Sequence, residues 1–160
     1  MSRSNVGRPD VVAAARGWLG TPYRHQAACR GAGCDCLGLV RGIWREIYGA
    51  EPQAAPPYSP DWGEPQGHEA LWQAAARYLR ERAPGEATEA GDLLLFRMRE
   101  RGLAKHLGIR AEDPRGTPTF VHSMSGRGVV ESPLSAPWAR RVVAHFVFPP
   151  VCARSAATGD

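Results

Sequence analysis

The hydrophobic pattern of this chain changes period near its middle, and that change limits the folds open to it. Up to about residue 82 the apolar residues recur at helical spacing; from Gly91 onward they alternate or cluster in runs of strand length. Val11, Val12, Ala15, Trp18 and Leu19 lie on one face of a helix predicted over 9–19, stopped by Gly20 and Pro22. Cys36, Val40, Ile43, Trp44 and Ile47 predict a second helix over 36–48, with Asp35 as N-cap and Gly49 as C-cap. Leu71, Trp72, Ala75, Tyr78 and Leu79 predict a third over 69–82. Between them, 21–34 reads as a Gly-rich loop and 50–67 as a Pro-rich surface loop, whose part from Gln53 to Pro65 is either a stiff connector or a docking or gating segment. Strands are predicted over 93–98, 104–111, 117–124, 129–131 and 140–148, with a turn at 125–128. Helices followed by antiparallel strands give an α+β domain. A chain of 160 residues has the size of one domain, placed at 1–150, and the small, polar residues 151–160 read as a loose tail.

Composition removes several classes. Hydrophobic residues at 43% and charged residues at 22% exclude wholesale disorder. No apolar run approaches the ~20 residues needed to cross a bilayer, so membrane insertion is not expected. Residues 1–5 lead straight into a helical pattern without an apolar core, so a secretion signal is not expected either. All basic residues except Lys105 are arginine, and they are scattered. Nucleic-acid binding needs a clustered basic stripe, so no nucleic-acid partner is expected.

The four cysteines are Cys29, Cys34, Cys36 and Cys152. A chain long enough to build its own core has little need of disulfides, and Cys29, Cys34 and Cys36 lack zinc-ligand spacing with no second pair to follow. No metal is expected, which leaves a nucleophile. Cys36 falls in the first turn of the second helix, where free N–H groups and the helix dipole favour a thiolate and could also receive an oxyanion. Such a thiol needs an imidazole base from a distant segment, itself oriented by a third polar group. His106 and His122 lie on successive predicted strands and could meet in that way. Taken singly, each residue also has an ordinary reading: Cys36 as a small buried residue, His106 as a surface residue, His122 as a satisfied core histidine.

Five segments in order resemble one family. Thr21-Pro22-Tyr23, Asp35-Cys36-Leu37-Gly38-Leu39-Val40, Gly91-Asp92-Leu93, Lys105-His106-Leu107-Gly108-Ile109 and Val121-His122-Ser123 resemble the signatures of the NlpC-type papain-like cysteine peptidases of bacteria and phages. The resemblance spans about 9–148. Tyr23 to Gln26, Gly33 to Cys36 and Arg41 to Arg45 most resemble the branch found in phage tail modules and gene transfer agents.

The resemblance implies a papain-like fold with N-terminal helices packed on an antiparallel sheet. It implies Cys36 as nucleophile, His106 as general base and then acid, and His122 as the residue that orients His106. Tyr23 would bind substrate or complete the oxyanion hole, while Asp35 reads as a structural cap and Cys34 as a packing residue. The implied reaction is hydrolysis of a peptidoglycan stem-peptide amide, typically the D-γ-glutamyl bond to a diamino acid, without metal or organic cofactor. The implied setting is a phage-like particle, docked on tail hub or baseplate proteins and acting in the recipient's periplasm. Two other classes stay open: a mainly structural tail component, and an amidase or acyltransferase of the same fold. Three positions depart from the family: Leu37 where Ser is common, Gly31-Ala32-Gly33-Cys34 for the usual Gly-Gly, and Arg110 for an aromatic. These bear on the substrate pocket.

Overall fold

A computed structural model of the chain describes residues 6–7, 9–51 and 70–152. In chain order the elements are β1 (Val6–Gly7), α1 (Val11–Arg16), β2 (Ala28–Cys29), β3 (Gly33–Cys34), α2 (Cys36–Tyr48), α3 (Ala70–Tyr78), β4 (Arg80–Glu81), β5 (Leu93–Arg97), β6 (Ala104–Glu112), β7 (Pro118–Met124), β8 (Gly128–Pro133), α4 (Ala136–Ala139), β9 (Val142–Val147) and β10 (Val151–Cys152). Six strands form one sheet in the order β4-β9-β5-β6-β7-β8, antiparallel at each pairing. The fold is α+β, as the change of period predicts.

Alternation along the strands gives the sheet two different faces. Leu93, Leu95, Leu107, Ile109 and Val121 join Leu39 and Ile43 of α2 and Trp18 in the main core. The opposite face carries Leu94, Phe96 and Phe120, covered by Leu134, Trp138 and Val142. His106 and Gly108 alternate with Leu107 and Ile109 along β6, which puts His106 on the aromatic side of the sheet.

Several boundaries move from their predicted places. The first helix is shorter than 9–19. Asp10 caps it by accepting a hydrogen bond from the Ala13 N–H at 2.9 Å, and Gly17 ends it. Trp18 N–H then bonds back to Ala15 at 3.0 Å as a tight turn. The third helix ends at Tyr78, not 82, because Arg80 and Glu81 pair with Val147 and Phe146 at the sheet edge. This brings the largely buried Arg82 guanidinium onto the fully buried Asp92, at 2.9 and 3.1 Å. A buried carboxylate needs such a partner, which gives Gly91-Asp92-Leu93 its physical role. The loop predicted over 21–34 contains the β2–β3 hairpin, and Val151–Cys152 pair with Val6–Gly7, so the paired backbone extends past the boundary placed at 150. The Pro-rich segment lies almost entirely, and the tail beyond 152 entirely, outside the described residues.

Candidate active site

Helix α2 begins where the sequence predicts, at Cys36, and the geometry of its start is tightly determined. Asp35 is buried, in extended conformation, and its two carboxylate oxygens serve two segments. Oδ1 accepts from the Gly38 N–H at 2.7 Å, the N-cap bond, and Oδ2 accepts from the Gln26 N–H at 2.7 Å. Gln26 has φ +64°, a conformation unusual outside glycine, and the Asp35 bond holds its backbone there. Upstream, Tyr23 forms a β-bridge with Cys34, whose carbonyl accepts from Arg24 N–H at 3.1 Å and from the Ser123 hydroxyl at 2.8 Å. Cys34 is fully buried and fastens this segment to β7, consistent with a packing role. The half-buried Tyr23 is thereby carried to the strand that leads into Cys36.

The Cys36 thiol meets the start of β6. Its Sγ lies 3.6 Å from the Lys105 carbonyl oxygen, to which the S–H donates. On the neighbouring strand pair, His106 Nε2 and His122 Nδ1 are 2.8 Å apart with their rings nearly perpendicular. Gly108 makes this approach possible. A Cβ there would stand 2.9 Å from the Phe120 ring and 3.4 Å from His122 Cβ. His122 is fully buried, and its far nitrogen, Nε2, is 3.0 Å from the Ser132 hydroxyl. Trp138 covers both imidazoles, with ring centres 5.9 Å from His106 and 5.4 Å from His122. The structure thus joins Asp35, the Tyr23 segment and Cys36 at one helix start, sets the thiol against the Lys105 carbonyl next to His106 in the chain, and pairs His106 with His122. Arg110 is engaged elsewhere: four residues along β6 from His106, its guanidinium bonds the Ala111 carbonyl, Glu112 and Thr88.

Sequence reasoning missed Ser132 and Trp138. The strand predicted to stop at Glu131 in fact runs to Pro133, and alternation along it would have put Ser132 on the His122 side of the sheet. Trp138 sits on the four-residue α4, too short to leave a periodic signal.

Electrostatics correct one expectation. A helix start favours a thiolate, yet burial pushes the Cys36 thiol up to about 12, helped by the adjacent Asp35 carboxylate and opposed by the N–H groups of Leu107, Leu37 and Cys36 itself. Burial, with His122 beside it, lowers His106 to about 3, and burial with Arg127 nearby lowers His122 to about 4. At neutral pH the Cys36 thiol and both imidazoles are therefore in their neutral forms. Alkylation of Cys36 by iodoacetamide, assigned by fragmentation of the tryptic peptide 31–41 that it shares with Cys34, is expected to accelerate about tenfold per pH unit between pH 7 and pH 10. A plateau already reached by pH 6 would instead reveal a preformed thiolate–imidazolium pair.

The NlpC/P60 family profile matches residues 20–147, most of the chain and all of the cluster just described. The chain belongs to the NlpC/P60 family. Among solved structures, this NlpC/P60 chain is similar to a Staphylococcus aureus protein described as similar to a lipoprotein of the NLP/P60 family. The TM-score is 0.56 at 20% sequence identity, over 92% of this chain and 45% of that one, so the likeness is one of fold. The chain thus spans less than half the length of that relative. No curated protein gives a match. In the NlpC/P60 domain described here, the helices and mostly antiparallel sheet have the papain-like arrangement. Among the described residues, no helix is long and apolar enough to cross a membrane.

Proposed function

We propose that this chain is a cysteine peptidase that hydrolyses an amide of peptidoglycan stem peptides. The observation that carries this reading is the Cys36 thiol, set against the start of the strand whose His106 is paired with His122 at 2.8 Å. Family membership supports the same chemistry. In this reading His106 takes the thiol proton as Cys36 Sγ attacks the scissile carbonyl. The Cys36 N–H, at the start of α2, faces the developing oxyanion, with Tyr23 placed to assist. The tetrahedral adduct collapses, the carbon–nitrogen bond breaks, and the departing amine takes the proton from His106. Water, deprotonated by the same imidazole, then releases the acid and regenerates the thiol. His122 holds His106 in the ring orientation and protonation state that these transfers require.

The bond proposed is D-γ-glutamyl to a diamino acid, on the strength of the five ordered motifs. Muropeptide mass spectrometry of digested diaminopimelate-type peptidoglycan checks it. Products ending in D-glutamate with a free diamino acid amine are expected, and cleavage at any other bond would reassign the specificity. The motif resemblance to the phage-tail branch supports a place on the hub or baseplate of a phage-like particle that carries the enzyme into the recipient's periplasm. Absence of the protein from purified particles would remove that placement.

A further inference from the structure

We infer that Ser132 is a positioning residue that sets the tautomer of both histidines. This rests on the reading of His106 as the base for Cys36, and it follows from the partners of three ring nitrogens. His106 engages His122 through Nε2, at 2.8 Å, which leaves Nδ1 as the nitrogen able to take a proton from the thiol. For Nδ1 to be an empty acceptor, the single ring proton of neutral His106 must sit on Nε2 and be donated to His122 Nδ1. His122 Nδ1 is then an acceptor, so the proton of neutral His122 sits on Nε2. That nitrogen is 3.0 Å from Ser132 Oγ, which must accept it.

The opposite arrangement is equally compatible with the distances but disables the site. If the Ser132 hydroxyl donated to His122 Nε2, His122 would carry its proton on Nδ1 and donate it to His106 Nε2. His106 would then hold its proton on Nδ1 and could not act as a base there. As acceptor the Ser132 hydroxyl holds the relay in its competent form, and as donor it would hold the incompetent one. The relay is shielded well enough for that choice to matter. His122 is fully buried, Phe120 stacks on it with ring centres 4.1 Å apart, and Trp138 lies edge-on at 5.4 Å. Ser132 stands diagonally across from His122 on β8, whose register pairs Phe120 with Ser132 and His122 with Val130.

Ser132→Ala removes one oxygen from the sheet's edge strand, and its fold can be checked in the same spectra that test the inference. Nitrogen-15 correlation spectra of the histidine rings at pH 7 should show His106 and His122 of the wild type each as a single Nε2–H tautomer. In Ser132→Ala, His122 should become a mixture with Nδ1–H. Stem-peptide hydrolysis should lose about tenfold in kcat with little change in KM, the order of one hydrogen bond, and Ser132→Thr, which keeps the hydroxyl, should restore both tautomer and rate. An unchanged His122 tautomer in a folded Ser132→Ala protein would overturn the inference, whatever the rate does. A wild type with the expected tautomers but no hydrolysis of peptidoglycan would instead count against the proposed reaction while leaving the role of Ser132 intact.

Discussion

Replacing His106 by alanine is expected to reduce peptidoglycan hydrolysis by about a thousandfold or more, the largest loss of any change that leaves the nucleophile in place. A thiol held up to about 12 is ionised in roughly one molecule in 10⁵ at pH 7. Without a base in contact, nearly every productive encounter would have to wait for that rare form. General base catalysis alone contributes about 10²–10⁴, and the same imidazole must also protonate the departing amine. His122→Ala should cost less than His106→Ala, because it removes the partner that orients the base rather than the base itself. Steady-state rates of the two variants separate the roles. Equal losses at both positions would mean that His106 and His122 share proton transfer, and a larger loss at His122 would reverse the assignment.

Gly38→Ala is expected to lower the melting temperature by roughly 6–12 °C and to disable the site as well. A Cβ at this position would stand 1.7 Å from the Ala27 carbonyl oxygen, 2.8 Å from its carbon and 3.0 Å from Asp35 Oδ1. The first two are backbone atoms, and the third is a carboxylate oxygen already engaged by the Gly38 N–H. The helix start and the 25–27 loop must separate, and with them go the two bonds by which Asp35 holds Gly38 and Gln26. Overpacking of this kind costs ~3 kcal/mol, and each kcal/mol shifts the midpoint by about 2–4 °C in a domain of this size. Gly49→Ala provides the contrast. Gly49 has φ +91° and ψ −40°, but nothing lies within 4 Å of its added carbon, so backbone strain of about 1–3 kcal/mol is expected without displacement of the Asp35 bonds. Rates of peptidoglycan hydrolysis by the two folded variants make the comparison, and equal losses in both would contradict it.

The parts of this structure that the sequence makes legible are those set by short-range physics. Asp35, Cys36 and Gly49 mark the ends of α2 because a carboxylate caps a helix and a glycine closes one. The pattern on β6 separates Leu107 and Ile109 from His106 because side chains alternate along a strand. That His106 and His122 share one site follows from antiparallel neighbours joined by a short connection. What is not legible depends on contacts between distant segments. Arg80 and Glu81 carry the helical pattern onward, yet the free edge of β9 and the buried Asp92 capture that stretch as strand. The thiol's resistance to ionisation is similarly collective. The helix start that favours its charge is local and visible, whereas the burial that overcomes it comes from packing against β6. Ser132 reads as one hydroxyl among many until the register of β8 places it on His122.

The most direct test of a working nucleophile at Cys36 is a matched digestion of diaminopimelate-type peptidoglycan by the wild type and by Cys36→Ala, read as muropeptides by mass spectrometry. Sγ stands at the helix surface facing β6, so its loss removes the reacting atom and leaves the Asp35 cap in place. Stem-peptide fragments released by the wild type and absent with Cys36→Ala are the predicted result. Equal release by both proteins, or none by either while both are folded, would contradict it.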